Sequence, residues 1–481
     1  MPGVFYKSNR PKRPGAYTNF VAVVQAAAPT PLLGTVAITF TADWGPSNSV
    51  VELASFSDYT AIFGDSTDIE GYAAVRQTFQ GEGLAGRGGA AKVLAYRVAA
   101  DDEAATRTLI NTSEANALVV TAKYTGTRGN DLALTVEENA ADSSKNDLVV
   151  LDGSVELERY THTKASVTDL GATINASSAW ITVSVSSGST ALDPVSGLSL
   201  TGGDDGSVLT GGDYITAWGA LENQRFSIYA PGNLTDGSVI ASLNVWVTAQ
   251  NSLGKRFVAV IGGDTDESIA TAIADTADLD NENIVRVGVG SVTDEVLGTL
   301  STAQLAPRVA GIIAGRGETA SITFARLAGV SILVGATDAE VLTALENGVV
   351  VLARDSNAEA PVRLEKGLTT YISDTTEKPK SIYSNIKFIR TIHGLEMEIT
   401  EFAEAGIIGQ LPVNDNTREY LIGEAYQILQ AREASGSIQP GWTVGVDQDP
   451  PPSDSDEFIG LVYSAKFGRD VEQLFNTIYV G

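Results

Sequence analysis

The chain has 481 residues, of which 43% are hydrophobic, so it is long enough for roughly three globular domains with substantial cores. Its 32 basic and 59 acidic side chains give a formal net charge of -27, which argues against nucleic acid as a partner because a phosphate-binding surface is basic. The lack of cysteine excludes disulfides, thiolate metal sites and a cysteine nucleophile.

The first residues form a basic arm. Four basic side chains and no acidic one precede Asp43, whereas the rest of the chain is strongly acidic. Prolines prevent the arm from forming a core of its own, and strand-forming residues follow directly. We therefore predict an extended arm over residues 1–20 that contacts a second copy of the chain, the alternative being a solvated tail that binds nothing. The predicted contact residues are Lys7, Arg10, Lys12, Arg13 and Tyr17.

The apolar region 20–40 does not fit a membrane-spanning helix, because Gln25, Pro29 and Pro31 interrupt it. A secretory signal is the alternative for its first half, but the polar lead is long and Pro29 directly follows the small residues. We predict strand and turn here, and no membrane insertion.

The segment from residue 36 to 98 alternates between strand and helix patterns. The sequence predicts a strand over 36–40, a helix over 72–79 and a strand over 92–98. Between the last two, Gly81, Gly83 and Gly86 match the spacing of a dinucleotide-binding loop. Such a loop must follow a strand and begin a helix, so that the phosphate meets the helix N-terminus. Because the order is reversed here, we interpret the glycines as a flexible connector.

Residues 116–200 differ from their surroundings by having short strand patterns and polar turns. Strands are predicted over 118–124, 131–137, 147–152, 155–160 and 180–186, and glycine-rich segments at 126–130 and 202–206 mark the borders. This pattern predicts an all-β insertion domain that faces outward. The Gly-Gly pairs at 202 and 211 have the spacing of calcium-binding nonapeptide repeats, but two copies cannot stack, so they indicate turns rather than a metal site.

An α/β alternation runs from residue 226 to 314. Strands are predicted over 226–230, 257–261 and 284–289, and Asp264 and Glu267 form a capping pair for the second of the helices between them. The apolar stripes of these helices consist of Ile240, Leu243 and Val247, and of Ile269, Ile273 and Ala277. With a further apolar helix at 309–314, the pattern predicts a central α/β domain formed by residues 21–115 and 201–348, with a partly parallel sheet and right-handed crossovers.

Residues 262–264 and 288–290 follow predicted parallel strands, which is where ligands bind in such sheets. The side chains do not support an enzyme site there. The two histidines, His162 and His393, lie in different segments, and the acidic pair Asp204 and Asp205 lies in a turn without an apolar pocket to raise a pKa. We therefore predict a protein with no catalytic, cofactor-binding or metal-binding residues.

The pattern over residues 349–481 predicts an α+β domain. Strands at 349–352 and 362–364 precede a helix at 417–432, for which Asn416 is the predicted N-cap, Glu419 its reciprocal partner and Gly436 the residue past the end. The apolar stripe of this helix consists of Leu421, Ala425, Ile428 and Leu429.

The stretch 458–481 contains two strand patterns with a turn between them. The first has a single predicted buried face, formed by Ile459, Leu461, Tyr463, Ala465 and Phe467. The second, 474–480, is β-branched and aromatic on both faces. Because soluble proteins blunt apolar edges, this run either closes its own sheet or adds to the sheet of a neighbouring chain. Its predicted contact residues are Leu474, Phe475, Ile478, Tyr479 and Val480.

Several different short motifs are distributed along nearly the whole chain. They are Arg13-Pro14-Gly15-Ala16-Tyr17, Trp44-Gly45-Pro46, Phe63-Gly64, Gly88-Gly89-Ala90, Gly126-Thr127-Arg128-Gly129-Asn130, residues 200–206, Val309-Ala310-Gly311 and residues 471–480. Each is weak alone, but their order resembles that of contractile tail sheath proteins, from bacteriophages with contractile tails and related injection machines.

The resemblance implies a non-enzymatic structural protein that polymerises as stacked hexameric rings around a tail tube. It implies that both chain ends, as extended arms, complete the C-terminal α+β assembly domain and add strands to the sheets of neighbouring subunits. Contraction would drive the tube through the host cell envelope for genome delivery. The energy would come from the metastable assembled sheath, because the contracted sheath makes more contact between subunits. No nucleotide or other cofactor would be needed. The implied partners are further copies of the chain, the tail tube protein, and the baseplate and tail terminator proteins, with no nucleic acid. The implied location is the virion, after assembly in the host cytoplasm.

Three alternatives stay open at this stage. The chain could form the sheath of a phage-tail-like injection device, or it could be a secreted β-rich surface protein, which a cleaved N-terminus would favour. It could also be an α/β nucleotide-binding enzyme, which saturable binding of nucleotide would favour.

Overall fold

The computed structural model describes residues 34–67, 69–84, 88–186, 191–265, 267–288, 290–334, 336–354, 362–447 and 459–470. The arm predicted over 1–20 and the strand predicted over 474–480 lie outside these ranges. The described chain forms a large mixed sheet with helices on both faces, an inserted β-sandwich, and a helical C-terminal part with a short hairpin.

The elements follow one another in four groups. The first group is β1 (Thr35–Phe40), β2 (Val50–Leu53), α1 (Phe56–Phe63), α2 (Glu70–Gln80) and β3 (Lys92–Arg97). The β-sandwich group is β4 (Thr106–Ile110), β5 (Asn116–Ala122), β6 (Leu132–Glu138), β7 (Lys145–Asp152), β8 (Val155–Thr163), α3 (Thr168–Ser177), β9 (Ile181–Val185) and β10 (Val195–Ser199).

The third group returns to the large sheet. It is α4 (Gly211–Leu221), β11 (Ile228–Pro231), α5 (Gly237–Ser252), β12 (Val258–Gly262), α6 (Ile269–Leu279), β13 (Ile284–Gly288), β14 (Ser291–Asp294), β15 (Gly298–Ser301), α7 (Thr302–Gly315), β16 (Arg326–Leu327), β17 (Val330–Val334), α8 (Asp338–Glu346), β18 (Val349–Ala353) and β19 (Val362–Leu364). The C-terminal group is α9 (Lys380–Tyr383), α10 (Ile386–Gly406), α11 (Asp415–Ala434), β20 (Thr443–Val446) and β21 (Leu461–Ser464).

The large sheet has nine strands in the order β16-β19-β18-β13-β12-β11-β1-β3-β2. The six strands from β18 to β3 run parallel to their neighbours, and the outer strands β2, β19 and β16 pair antiparallel. This confirms the predicted partly parallel sheet. The sheet also includes β18 and β19, which follow the predicted domain border at residue 348.

Both faces of the large sheet are covered, which explains its apolar strands. In β1, Val36 and Ile38 belong to the core beneath α2 and α7, while Ala37 between them belongs to the core beneath α4 and α5. Strands buried on both sides read as continuous apolar runs rather than alternating ones. The helix α7 is buried on nearly all sides, so its residues are mostly apolar or small, and its buried Arg308 pairs with Asp294 at 3.6 Å.

The β-sandwich packs the sheet β10-β6-β7-β8 against the sheet β4-β5-β9 around a core of its own. The predicted insertion is therefore confirmed as a β-rich unit, but it contains one unpredicted helix, α3. Only Leu170, Gly171 and Ile174 of α3 are buried, so its apolar stripe is too short to give a clear helical period.

The glycine-rich border motifs of the sandwich bind each other. The backbone amide of Thr127 donates to the Asp205 carboxylate (2.7 Å), and Asn130 and Gly203 exchange two hydrogen bonds of 2.9 Å. Gly126 has φ of +123°, and a Cβ there would lie 2.0 Å from the carbonyl oxygen of Asp43, so only glycine fits. The Gly-Gly pair at 202 thus lies in a hydrogen-bonded loop, whereas the pair at 211 forms the first turn of α4.

Two predicted helix starts are wrong. The helix α6 is capped by Ser268, whose Oγ accepts from the amide of Thr271 (3.1 Å), and not by Asp264 with Glu267. The helix α11 is capped by Asn414 rather than Asn416, and the Oδ1 of Asn414 accepts a hydrogen bond from the amide of Thr417 (2.9 Å). In both cases a neighbouring residue of equal capping ability occupies the position that geometry requires.

The long helix α10 was not predicted at all. Its first half is buried on several sides and mixes apolar residues with the buried charged residues Lys387 and Arg390. Within the described ranges, every helix is too short or too polar to cross a membrane.

Candidate inter-subunit surface

The residues predicted to contact other subunits lie outside the described residues, and their roles stay predictions. They are Lys7, Arg10, Lys12, Arg13, Tyr17, Leu474, Phe475, Ile478, Tyr479 and Val480. The structure does describe the surface that precedes residues 474–480 in the chain. This surface consists of α10, α11 and the strands β20 and β21. The pair of strands β20 and β21 is called the C-terminal hairpin below.

The C-terminal hairpin has a packed face and an open face. β20 and β21 pair antiparallel, with Val446 opposite Leu461 and Val444 opposite Tyr463. Leu461 and Tyr463 are half-buried, whereas Val462 between them is 53% exposed. The alternation predicted for this strand is therefore confirmed.

One edge of β21 faces away from β20. Among the described residues, β20 is the only strand that pairs with β21. Further pairing lies on the β20 side, where the amide of Gln439 donates to the carbonyl of Lys466 (2.7 Å) and Ile438 forms a bridge with Phe467. Within the described part of the chain, the outer edge of β21 therefore has no strand partner.

A buried cluster of charges attaches α10 and α11 to the α/β part. Glu318, which follows α7, pairs with Arg432 of α11, and Arg432 also contacts Glu398 of α10 at 2.9 Å. Arg390 of α10 donates to the carbonyl of Gly317. Burial raises the pKa of Glu318 against the opposing effect of Arg432, and burial lowers the pKa of Arg390 to about 10. Because loss of one partner would leave a buried charge uncompensated, the cluster holds both helices in place.

After β21 the chain follows α10 back towards the N-terminus of that helix. Phe467 stacks on Phe388 with 5.3 Å between ring centroids, and Asp470 pairs with Lys387 at 2.9 Å. The described chain ends here, beside the first turn of α10.

A groove of about 520 Å³ lies between the α/β part and the second half of α10. Two ion pairs connect its sides, Arg225 with Glu401 at 3.0 Å and Arg256 with Glu396 at 2.7 Å. Since each pair joins an arginine of the α/β part to a carboxylate of α10, the groove is a junction between two units of the fold.

The groove has an aromatic part, while charged residues such as Glu222, Lys255 and Glu404 line the rest. Phe257 lies between two other rings of the α/β part, 4.9 Å from Phe226 and 5.0 Å from Trp246 between centroids. On the opposite side the groove is lined by Tyr463 of β21. The groove therefore lies directly beside the C-terminal hairpin.

The sequence contains a repeat that marks this groove. The pair Arg-Phe occurs at 225–226 and again at 256–257, just before β11 and β12. These strands are parallel neighbours, so their first residues meet at one edge of the sheet. The repeat indicates a basic and aromatic edge there.

The loop considered for an enzyme site is built around a buried ion pair. Residues 262–264 line a cleft of about 660 Å³ at the C-terminal edge of the sheet. Within it Arg286, 1% exposed, pairs with Glu267 and, at 2.8 Å, with Asp275. His162 lies on β8 and His393 on α10, in separate parts of the fold. The described residues contain no group of three or more His, Cys, Asp or Glu side chains arranged to hold a metal ion.

Two family models match the chain. The phage tail sheath protein central domain matches residues 207–370, and the phage tail sheath protein beta-sandwich domain matches residues 88–205. Together the matches span more than half of the chain. The second match begins just before β3 and ends just after β10, so it contains the observed β-sandwich.

Known proteins resemble the chain over almost its full length. The phage-like element PBSX protein XkdK of Bacillus subtilis (strain 168) is 24% identical over 464 residues, which cover 93% of this chain and 92% of that protein. The crystal structure of the sheath tail protein from Desulfitobacterium hafniense superposes with a TM-score of 0.73, at 22% identity, covering 94% of this chain and 100% of that one.

A more distant structure has the same fold. The anti-feeding prophage helical sheath in its contracted state superposes with a TM-score of 0.55, at 12% identity, covering 98% of this chain and 99% of that one. The fold and both family models lead to the same family as the order of the short motifs in the sequence. We conclude that the chain belongs to the phage tail sheath protein family.

Proposed function

We propose that the protein is the structural subunit of a contractile tail sheath and has no enzymatic role. Its copies polymerise as stacked hexameric rings around a tail tube, and contraction drives the tube through the host cell envelope for genome delivery. The observation that supports this function, beside the family, is the outer edge of β21, which pairs with no strand among the described residues.

Subunits are linked by exchange of strands. Residues 474–480 of one copy add to the outer edge of β21 of a neighbour, where main-chain hydrogen bonds supply affinity and side-chain pockets supply specificity. The hairpin is a suitable platform, because β20 packs on α11 and the buried Glu318–Arg432 pair fixes that helix. The basic arm over residues 1–20 adds a second contact, to the acidic surface of another copy.

The energy for contraction is stored in the assembled sheath. Strand exchange keeps neighbouring subunits connected while they move, and the contracted sheath makes more contact between subunits than the extended one. No nucleotide is consumed.

The β-sandwich faces outward, away from the tube. The predicted scheme is an insertion at 116–200, a central domain from 21–115 and 201–348, and an assembly domain over 349–481. The sandwich itself begins earlier, with β4, and the large sheet extends to β19. A peripheral position is supported by the place where the chain enters and leaves the sandwich. There the amide of Ser207 donates to the carbonyl of Ala100 (2.8 Å), so the two chain connections of the sandwich lie side by side.

The further partners are the tail tube protein, the baseplate proteins and the tail terminator protein. The sheath is assembled in the host cytoplasm and is carried in the virion. The fold shared with the anti-feeding prophage sheath also fits a phage-tail-like injection device, in which the same contraction acts without genome delivery.

Negative-stain electron microscopy of the purified protein tests this function. We expect striated tubes with a central channel. Monodisperse particles at every protein concentration and ionic strength would contradict it.

A further inference from the structure

The outer edge of β21 and the aromatic groove are parts of one surface. β20 packs on α11, whereas Tyr463 of β21 lines the groove together with residues of α10. The groove therefore borders the packed face of β21, from which Tyr463 projects. A strand that pairs with the outer edge of β21 would extend this face of the sheet on the side away from β20.

The register determines which side chains of an added strand enter the groove. Residues on one face of paired strands stand beside each other, and successive residues alternate between faces. Because Tyr463 points to the groove side and Val462 to solvent, one face of the added strand points into the groove and the other points outward.

We propose that the groove receives the aromatic side chains of Phe475 and Tyr479 from a second copy of the chain. This assignment, which rests on the strand exchange of the proposed function, identifies the pocket that selects the incoming strand. Phe475 and Tyr479 are four residues apart and thus on the same face of a strand, about 13 Å from each other. They meet the aromatic part of the groove, where Phe226 is half-buried and covers the buried Trp246 and Phe257.

The strand-forming residues near the other chain end fit this groove less well. Tyr17 and Phe20 are three residues apart, so a strand places them on opposite faces. Only one of them could enter the groove. The segment 474–480 supplies two aromatic rings on one face.

Charge also favours this segment. Residues 474–480 have no ionisable side chain apart from the tyrosine hydroxyl, so the strand brings no formal charge into the groove. The arginines of the groove, Arg225 and Arg256, are already paired with carboxylates of α10. An uncharged aromatic strand therefore leaves both ion pairs intact, whereas the basic arm would compete for their carboxylates.

Cysteine cross-linking tests the contact directly, because the native chain contains no cysteine. Leu253, directly after the end of α5, lines the groove and is 74% exposed, and Val245 on α5 is 71% exposed and does not line the groove. Full-length protein with Leu253→Cys is mixed with full-length protein with Phe475→Cys, allowed to assemble and treated with a short bismaleimide. We expect a cross-linked dimer from this mixture and none from Val245→Cys with Phe475→Cys.

Two results would overturn the inference. One is equal cross-linking of Leu253→Cys and Val245→Cys to Phe475→Cys, or cross-linking of neither, in protein that forms tubes. The other comes from a protein that carries both Leu253→Cys and Phe475→Cys, in which a cross-link formed only within one monomer would place the segment in its own groove. If wild-type protein forms no tubes, the proposed sheath function fails. Failure of the groove assignment is thereby distinguished from failure of the proposed function.

A second pair of variants measures the contribution of the groove to assembly. Leu253→Asp places a charge in the groove that an incoming aromatic ring must desolvate, and we expect the critical concentration for assembly to rise at least about tenfold. Val245→Asp adds the same charge beside the groove and should change it by less than about twofold. Circular dichroism of both monomers checks folding. Equal critical concentrations for the two variants would contradict the assignment.

Discussion

Trp44, which follows the first strand of the large sheet, stacks on Trp180 of the β-sandwich with 5.7 Å between ring centroids. Trp44 is buried in the core of the sandwich rather than in that of its own sheet. The sandwich therefore includes a residue far outside the predicted insertion, and its border differs from the one that a change in composition indicates.

The position of Trp44 changes how the sandwich can be removed. Deletion of 118–200, the segment with the strand patterns, would leave Trp44 and β4 without their partners, at a cost of about 3–5 kcal/mol for the tryptophan alone. Replacing residues 100–206 with a short Gly-Ser linker, together with Trp44→Ser, joins ends that are already in contact. We expect the second protein to fold and form tubes and the first to aggregate, as measured by circular dichroism and electron microscopy. A folded 100–206 deletion that forms no polymer would show that the sandwich takes part in assembly.

Arg432 should be essential for the stability of the C-terminal part. Arg432→Met removes the partner of buried Glu318, and we expect a loss of about 3–5 kcal/mol in the free energy of unfolding. Arg418→Met is the matched control on the same helix, because Arg418 forms an exposed pair with Asp415 (2.7 Å) and should cost less than about 0.5 kcal/mol. Urea unfolding of the monomers measures both. Similar losses in the two variants would refute the role of the buried cluster.

His393 should make the protein sensitive to acid. Burial holds the pKa of His393 at about 3, with Arg256 and Arg390 adding repulsion, whereas the unfolded chain has the ordinary value of 6.5. Because the folded-state pKa is the lower one, only the unfolded chain takes up the proton in this window, and stability falls as the pH drops from 6.5 towards 3.

The variant His393→Leu isolates this effect. Relative to that variant, the wild-type protein should lose up to about 1.4 kcal/mol of unfolding free energy for each pH unit below the ordinary histidine pKa. Urea unfolding of both proteins across that window gives the difference. Parallel pH profiles for the two proteins would exclude the histidine as the cause.

The parts of the fold that the sequence predicts well are those whose burial is local and regular. β12 and β13 are apolar runs bounded by turns, and the alternation around Tyr463 reports its one packed face. The helix α10 and the groove were not predicted, because they depend on contacts between distant segments. Arg256 and Glu396, for example, form a pair that no local pattern indicates.

The basic arm should speed assembly by electrostatic attraction. Changing Lys7, Arg10, Lys12 and Arg13 to Glu should slow the growth of light scattering. The wild-type rate should fall with added salt, because exposed charges are screened beyond roughly 8–10 Å. Lys145→Glu with Lys164→Glu, on the β-sandwich, is a control that should leave the rate unchanged. Assembly independent of salt in all three proteins would rule out this role of the arm.

Removal of residues 474–481 tests the exchange of strands between subunits most directly. If residues 474–480 are donated to a neighbour, the truncated monomer keeps its own core, melts at the same temperature as the full-length monomer and forms no tubes. If they close the subunit's own sheet, their loss strips buried Phe475 and Ile478, which costs about 3–5 kcal/mol for a residue such as Phe. Thermal melting of both monomers, with light scattering for polymer, decides between the two. Unchanged melting without polymer is the result that strand exchange predicts, and a large drop in the melting temperature of the truncated monomer would contradict it.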